Sequence, residues 1–289
     1  MNALITGASG FIGSHLTNAL LSGQANTNVY TLDRTVREKI SPAHHPIPAD
    51  FSTPFLLPDH LPVPDVVFHL AQSRHYREFP GHAQDIYKVN IETTFHLIDW
   101  CKRKGVKRFI YASTGSVYKP STELLTEVSE TEAGNFYAAS KLAAENLLRP
   151  YGEWTNVSVV RLFSPYGPGQ KNMLIPNVIA RILGNEEITL NQNTGLYLSP
   201  VYIDDCVEIL IRLAETEQSK FAIYNLGGSQ QTTLREIVNI IGAGTNKSPR
   251  VRITEGNVVN ISADSSKIYR QSNYHPKFNL TDGLKKCYP

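Results

Sequence analysis

The chain has 289 residues, 41% hydrophobic and 19% charged, with a formal net charge of +2. That balance excludes a disordered chain and a strongly basic nucleic-acid binder, and it gives enough length for a sizeable core in one large domain or two small ones. Three widely spaced cysteines, Cys101, Cys206 and Cys287, have no metal spacing and read as free thiols of a reducing compartment.

Ala3-Leu4-Ile5 already reads as a strand, so no signal peptide is expected, and no apolar run reaches membrane-spanning length. A cytoplasmic protein that uses no membrane is the expectation. From there, short apolar runs alternate with helical patterns. Strand Ala3–Thr6 leads to a helix over Phe11–Ser22, then strand Val29–Leu32. Seven prolines between Pro42 and Pro64 predict turns, with one small strand near Ile47–Ala49. Strand Val66–Leu70, a helix over Ile86–Arg103, strand Arg108–Ser113, a helix over Tyr137–Arg149 and strand Val157–Phe163 follow. Such alternation predicts an α/β fold, a Rossmann-type doubly wound parallel sheet. The last third is less rhythmic, with loops expected around Asn191–Pro200 and Gly242–Arg250. It predicts a smaller C-terminal substrate-binding lobe from 170–199 and 229–289, set on a dinucleotide-binding domain of 1–169 to which 200–228 returns. The basic run Lys102, Arg103, Lys104, Lys107, Arg108 reads as a solvated helix end, with no nucleic-acid partner.

Thr6-Gly7-Ala8-Ser9-Gly10-Phe11-Ile12-Gly13 follows the first strand and opens the first helix. Gly7 and Gly10 let the backbone turn and approach a pyrophosphate, Gly13 lets the helix pack on the sheet, and the helix start supplies amide donors to the anion. Asp33 ends the second strand, 20 residues after Gly13, where a carboxylate accepts from an adenosine ribose. It favours NAD, while Arg34 beside it leaves NADP open.

Tyr137 and Lys141 stand one helical turn apart on one face. A free phenol, with a pKa of about 10, is a poor base near neutrality, and a neighbouring ammonium and the positive nicotinamide ring are expected to lower that value. Tyr137 then exchanges a proton with a substrate hydroxyl as hydride leaves or returns. Ser113-Thr114 closes a strand at the carboxyl edge of the sheet, where a hydroxyl holds the reacting oxygen.

With these residues in place, the sequence resembles the extended short-chain dehydrogenases/reductases, in particular the NAD-dependent epimerase/dehydratase group acting on nucleotide sugars. The matching segments run in order: TGASGFIG (6–13), Asp33, Ala49-Asp50-Phe51, HLA (69–71), Asn90, STGSVY (113–118), Tyr137 with Lys141, SPYGPGQ (164–170), YIDD (202–205) and NLGG (225–228). The resemblance implies that Gly7, Ser9, Gly10, Phe11, Ile12, Gly13, Asp33, Arg34, Asp50, Phe51, Leu70, Ala71, Gln72, Asn90, Ser113 and Ser164 contact the cofactor, as do Tyr137 and Lys141. It implies catalysis by Thr114, Tyr137 and Lys141, substrate contacts from Thr114, Gly115, Ser116 and Tyr137, and a homodimer formed through the segments Asn90–Arg103 and Tyr137–Arg149.

Departures narrow the activity. Where 4,6-dehydratases of the group carry an acidic pair, this chain has Gly115 and Ser116, neither able to transfer protons near neutrality. The cysteine of 3,5-epimerising relatives is replaced by Gly115, the usual Asn before YGP by Ser164-Pro165. Two arginines that grip the substrate diphosphate are missing, with Leu198 and the stretch Thr254–Asn257 in their places. Arg74, His75, Arg77, Lys171 and Arg181 are the cations available instead. The nine histidines suggest no metal site; His44-His45 and His69 read as structural. The expected function is an NAD(P)-dependent nucleotide-sugar epimerase acting at C4 through a keto intermediate. An NAD(P)H-dependent 4-keto-sugar reductase is the alternative, and a non-catalytic dinucleotide sensor or RNA-associated protein the third reading.

Overall fold

The computed structural model describes residues 1–23, 27–34, 38–53, 57–58, 61–217 and 219–288. Seven strands form one sheet: β1 (Asn2–Thr6), β2 (Asn28–Asp33), β3 (His44–Pro48), β4 (Val66–His69), β5 (Arg108–Thr114), β6 (Asn156–Leu162) and a seventh, Phe221–Leu226. Read from one edge the order is seventh, β6, β5, β4, β1, β2, β3, and every adjacent pair is parallel. The sheet is therefore Rossmann-like. Strand order reverses between β1 and β4, which opens a crevice at their carboxyl ends.

The strands are apolar on both faces because helices cover both. Ala3, Ile5, Phe68, Ile110 and Val160 face Leu16 and Leu20 of helix Phe11–Gly23 and Ile203, Val207 and Leu210 of helix Ile203–Glu215. Their neighbours in the strands, Leu4, Val67, Phe109, Tyr111 and Val159, face Leu97, Ile98 and Cys101 of helix Thr93–Lys104 and Ala144 and Leu148 of helix Phe136–Leu148. This odd-and-even division follows from the two-residue period of a strand.

Two expectations shift. The small strand lies at His44–Pro48 rather than Ile47–Ala49, pairing Val29 with His44. It is the edge strand, the place where Pro46 and Pro48 cost the ladder least. Among the described residues from Ala49 to Asp65 there is no helix or strand, as the prolines foretell; Pro54 lies outside the described residues. The helix read as Ile86–Arg103 begins at Ala83 and is broken by a π-helical turn over Lys88–Glu92. Its last turn carries Lys102, Arg103 and Lys104 and ends at Gly105, left-handed with φ 73°. Basic side chains there complement the helix dipole.

In the last third, Glu187–Asn191 pairs with Arg250–Thr254, and Leu196–Leu198 lies between Thr232–Thr233 and Val259–Ile261. The segment expected to loop from Asn191 to Pro200 thus contributes a strand, and helix Leu234–Gly244 runs into the second expected loop. Asp205, buried, accepts from Tyr274 (2.8 Å), the Lys277 amide (2.9 Å) and the Phe278 amide (3.0 Å), tying the C-terminal segment to the sheet-covering helix. No helix among the described residues is long and apolar enough to cross a membrane.

Candidate active site

The turn after β1 forms one wall of the crevice. Gly7 has φ 71°, and a β-carbon there would lie 2.8 Å from the backbone of Ala71; one on Gly13 would lie 2.2 Å from the Gly7 carbonyl oxygen. Only glycine lets the turn press against the segment after β4 and lets the helix start behind it. The resulting cleft, open to solvent, is lined by Gly7, Ser9, Gly10, Asp33, Arg34, Asp50, Phe51, Leu70, Ala71, Gln72 and Arg74 among others. A contiguous hollow runs past Ser9, Gly10, Phe11 and Ser14 to Lys171.

Asp33 tests what this cleft can hold. One carboxylate oxygen accepts from the Ser9 amide at 2.9 Å, and the other, Oδ2, is buried with no hydrogen-bond partner. A buried carboxylate oxygen without a donor is costly, and a ribose diol supplies the missing donors. With the glycine cradle and helix start beside it, the residues fit a dinucleotide. Asp50 is held below the usual carboxylate range by Ser52, whose hydroxyl (2.7 Å) and amide (3.0 Å) both donate to it.

Asn135 caps helix Phe136–Leu148 by accepting from the Ala138 amide at 2.9 Å, which places Tyr137 in the first turn. Tyr137 is half-buried, and its hydroxyl donates to Gln72 Oε1 at 3.1 Å. Its ring meets that of Tyr76 at 5.0 Å. Arg77 stands over Tyr76 at 4.9 Å and donates to the Asn172 carbonyl at 3.1 Å. Burial pushes the Tyr137 phenol up to about 12, against the opposing pull of the Thr114 hydroxyl and the Arg77 charge.

Lys141 is not among the groups that pull that phenol down. Lys141 is almost wholly buried and its Nζ donates to the Ala112 carbonyl at 2.8 Å. Desolvation holds its own pKa down to about 7, opposed by Glu145 one turn further along. The group that titrates near neutrality is the lysine.

Several predicted residues lie behind the cleft. Asn90, buried in the π-helical turn, accepts from the Ser73 amide (2.9 Å) and donates to Ser140 (2.9 Å), so both ends of its amide are occupied by protein. It ties the loop after β4 to the helix of Tyr137. Ser113 donates to Glu145, which also holds Arg161 through contacts of 2.6 to 3.2 Å. Ile12 packs against the core. Ser164 takes a left-handed backbone, φ 48°, at the end of β6. Of the proposed cations, Arg74 and Lys171 line the cleft, whereas Arg181 is exposed in the last turn of helix Leu174–Leu183. Leu198, fully buried, has no place for a cation. Of the histidines read as structural, His69, held between Thr6 (2.7 Å) and Thr94 (2.8 Å), is driven down to about 3 by burial, His44 is buried against Thr31 (3.0 Å), and His45 is half-buried.

Sequence reasoning did not find Tyr76 at the phenol, nor the Glu145–Arg161 pair beneath Ser113. For the pair a signal existed, since Glu145 stands one turn after Lys141 and Arg161 interrupts an apolar strand.

Known proteins resemble this chain along nearly its whole length. The model of the NAD dependent epimerase/dehydratase family matches residues 3–227. An uncharacterized UDP-glucose epimerase of Bacillus subtilis, YtcB, is 27% identical and covers 98% of this chain and 96% of its own. The UDP-glucuronic acid 4-epimerase of Bacillus cereus, solved with UDP-glucuronic acid and NAD, superposes with a TM-score of 0.85 at 26% identity, covering 99% of this chain and 97% of that one. A dTDP-glucose 4,6-dehydratase of Streptomyces venezuelae, DesIV, solved with NAD bound, gives a TM-score of 0.85 at 26% identity, covering 99% and 95%.

Proposed function

The chain belongs to the NAD-dependent epimerase/dehydratase family, and from that membership we propose that it epimerises a nucleotide-linked hexose at C4, with Tyr137 as the acid–base group. The observation that carries this reading is Tyr137, bonded to Gln72 of the cleft wall and drawn down by the Thr114 hydroxyl, beside a cleft in which Asp33 Oδ2 lacks a donor. Gly7, Ser9, Gly10 and Asp33 hold NAD, with Arg34, Asp50 and Phe51 at the adenosine end. Bound there, NAD supplies the hydride acceptor and, once reduced, the donor. Thr114 positions the C4 oxygen, and Tyr137 takes its proton during oxidation and returns it after the keto-sugar has turned over. Lys141, titrating near neutrality, lets the pair accept that proton. Lys171 and Arg74 stand in for the absent diphosphate-gripping arginines.

Dehydration is excluded in this reading. A β-carbon on Gly115 would lie 2.5 Å from the Phe163 ring, so no acidic side chain fits there without displacing that ring. The strands and helices of 170–199 and 229–289 form the lobe that receives the sugar. Two copies associate through the segments Asn90–Arg103 and Tyr137–Arg149, where Phe95 is 41% exposed. The reading is tested by denaturing the purified protein, identifying the released cofactor by mass, and incubating native protein with UDP-glucose and UDP-glucuronic acid without added cofactor. NAD in the supernatant and a C4 epimer in the product support it. Steady NADPH oxidation with a 4-keto sugar, and no epimer, replaces it with the reductase.

A further inference from the structure

We propose that His75, Glu78 and His82 form a zinc site on the segment that covers the catalytic tyrosine. Among the described residues these three side chains offer ligand atoms that all lie within 4.8 Å of one another. Glu78 Oε2 is 3.0 Å from His75 Nδ1 and 3.2 Å from His82 Nε2. Two ligands at the usual 2.0–2.1 Å from a tetrahedral zinc stand about 3.3 Å apart, so both spacings need only small adjustment. Two imidazoles and one carboxylate are a borderline donor set that suits zinc better than calcium or magnesium. The side chains are 22%, 54% and 44% exposed, so an ion enters directly from solvent and its fourth position is left to water.

The backbone already holds the ligands in place. The Glu78 amide donates to the His75 carbonyl (2.8 Å), the His82 amide to the Glu78 carbonyl (3.0 Å), and the His75 amide to Ser73 Oγ (3.1 Å). The two imidazole rings stack 3.9 Å apart, nearly parallel, so one ring turns about its side-chain bonds to bring both nitrogens onto a common ion. The backbone bonds leave mainly side-chain rotation to be fixed when the ion binds.

The site is joined to the cleft through one proton position. Arg74 Nε donates to His75 Nε2 at 2.9 Å, so in the metal-free chain the proton of the neutral ring sits on Nδ1 and faces Glu78. Zinc on Nδ1 moves that proton to Nε2, which then no longer accepts from Arg74. No proton is gained or lost by the ring; the guanidinium is released toward the cleft it already lines. The same segment carries Tyr76 against Tyr137 and Arg77 to Asn172, so bridging residues 75 and 82 also fixes both. Zinc occupancy therefore tightens the cover of the site and frees a cation for a nucleotide ligand. The second effect rests on the proposed role of the cleft; the metal site does not.

The test is a titration of untagged, chelator-treated protein with cobalt(II), read by its visible tetrahedral bands, followed by displacement with zinc. One ion per chain, with dissociation constant in the micromolar range or below, is expected. His82→Gln and Glu78→Gln, checked for unchanged circular dichroism, each weaken binding at least ten-fold and lose the zinc-dependent rise in Tm. Wild-type protein that binds no zinc, or variants that bind it as tightly, overturn the proposal. A metal site that binds as expected while affinity for UDP-glucose stays unaltered by zinc overturns the link to Arg74, whatever reaction the enzyme performs.

Discussion

The ammonium head of Lys141 donates to the carbonyl of Ala112 at 2.8 Å and lies 4.8 Å from the centre of the Tyr111 ring, both on the strand that ends at Thr114. A buried cation held by a carbonyl and a ring loses most of its hydration, and this outweighs the opposing pull of Glu145, which is why it titrates near 7 rather than near 10.

The pH dependence of turnover follows from this. Below about pH 7 Lys141 and Tyr137 are both protonated and have no capacity for the proton of a sugar hydroxyl. The rate of sugar oxidation is expected to rise about ten-fold per pH unit up to about 7 and then level. In Lys141→Met the remaining group is a phenol near 12, so the inflexion moves above about pH 9. An unchanged inflexion in the variant assigns the ionisation to another group.

The same burial affects stability. Below about pH 7 the folded and unfolded chains both hold the Lys141 proton, and the folded state bears the whole cost of a buried charge. Between about 7 and the unfolded value near 10.4, the unfolded chain holds a proton that the folded chain has lost, so this group's contribution to stability improves as pH rises. Lys141→Met is expected to raise Tm by a few degrees at about pH 6, at roughly 2–4 °C per kcal/mol, with the gain vanishing towards about pH 10. Scanning calorimetry of both proteins across that range measures it. A Tm loss at every pH shows that the Ala112 hydrogen bond outweighs desolvation.

Asp33 sets cofactor choice. Replacing it with Ala removes a carboxylate that repels a 2′-phosphate and leaves Arg34 to pair with one. Asp33→Ala is expected to weaken NAD binding at least ten-fold and to shift the NAD-to-NADP affinity ratio toward NADP by at least as much, measured calorimetrically on cofactor-stripped protein. Equal losses for both cofactors contradict the electrostatic part of the argument.

Gly115 is fixed by its neighbour Phe163. Gly115→Asp is expected to destabilise by about 1–3 kcal/mol through overpacking and to yield no dehydratase activity. Adding Phe163→Ala opens space for the carboxylate, so the double variant loses less stability than the two single losses combined. Urea unfolding of the four proteins decides this; strict additivity means the side chain finds another place.

The sheet was legible because its strands are short apolar runs bounded by turn residues, and their boundaries shift by only one residue in β1, β4 and β6. The glycine turn and Asp33 were legible because a close backbone approach restricts the residue type. The Tyr137 pKa was not, because it is governed by how deeply the ring is buried, and four-residue spacing carries no information on burial. Asn90 and Ser113 were placed at the cofactor by resemblance, yet their partners, Ser73, Ser140 and Glu145, come from distant elements. The His75–Glu78–His82 cluster escaped for a related reason: its spacing of three and four is helical, but the sequence there begins with a loop and contains Pro80.

Proton NMR of UDP-glucose and UDP-glucuronic acid in deuterated buffer, with native protein and no added cofactor, tests most directly whether Tyr137 drives a reversible hydride transfer at C4. The account predicts a C4 epimer that retains its original hydrogen at that carbon, at a rate reduced about 100- to 10,000-fold in Tyr137→Phe while NAD stays bound. Deuterium appearing at C4, or an epimer formed equally fast by the variant, contradicts it.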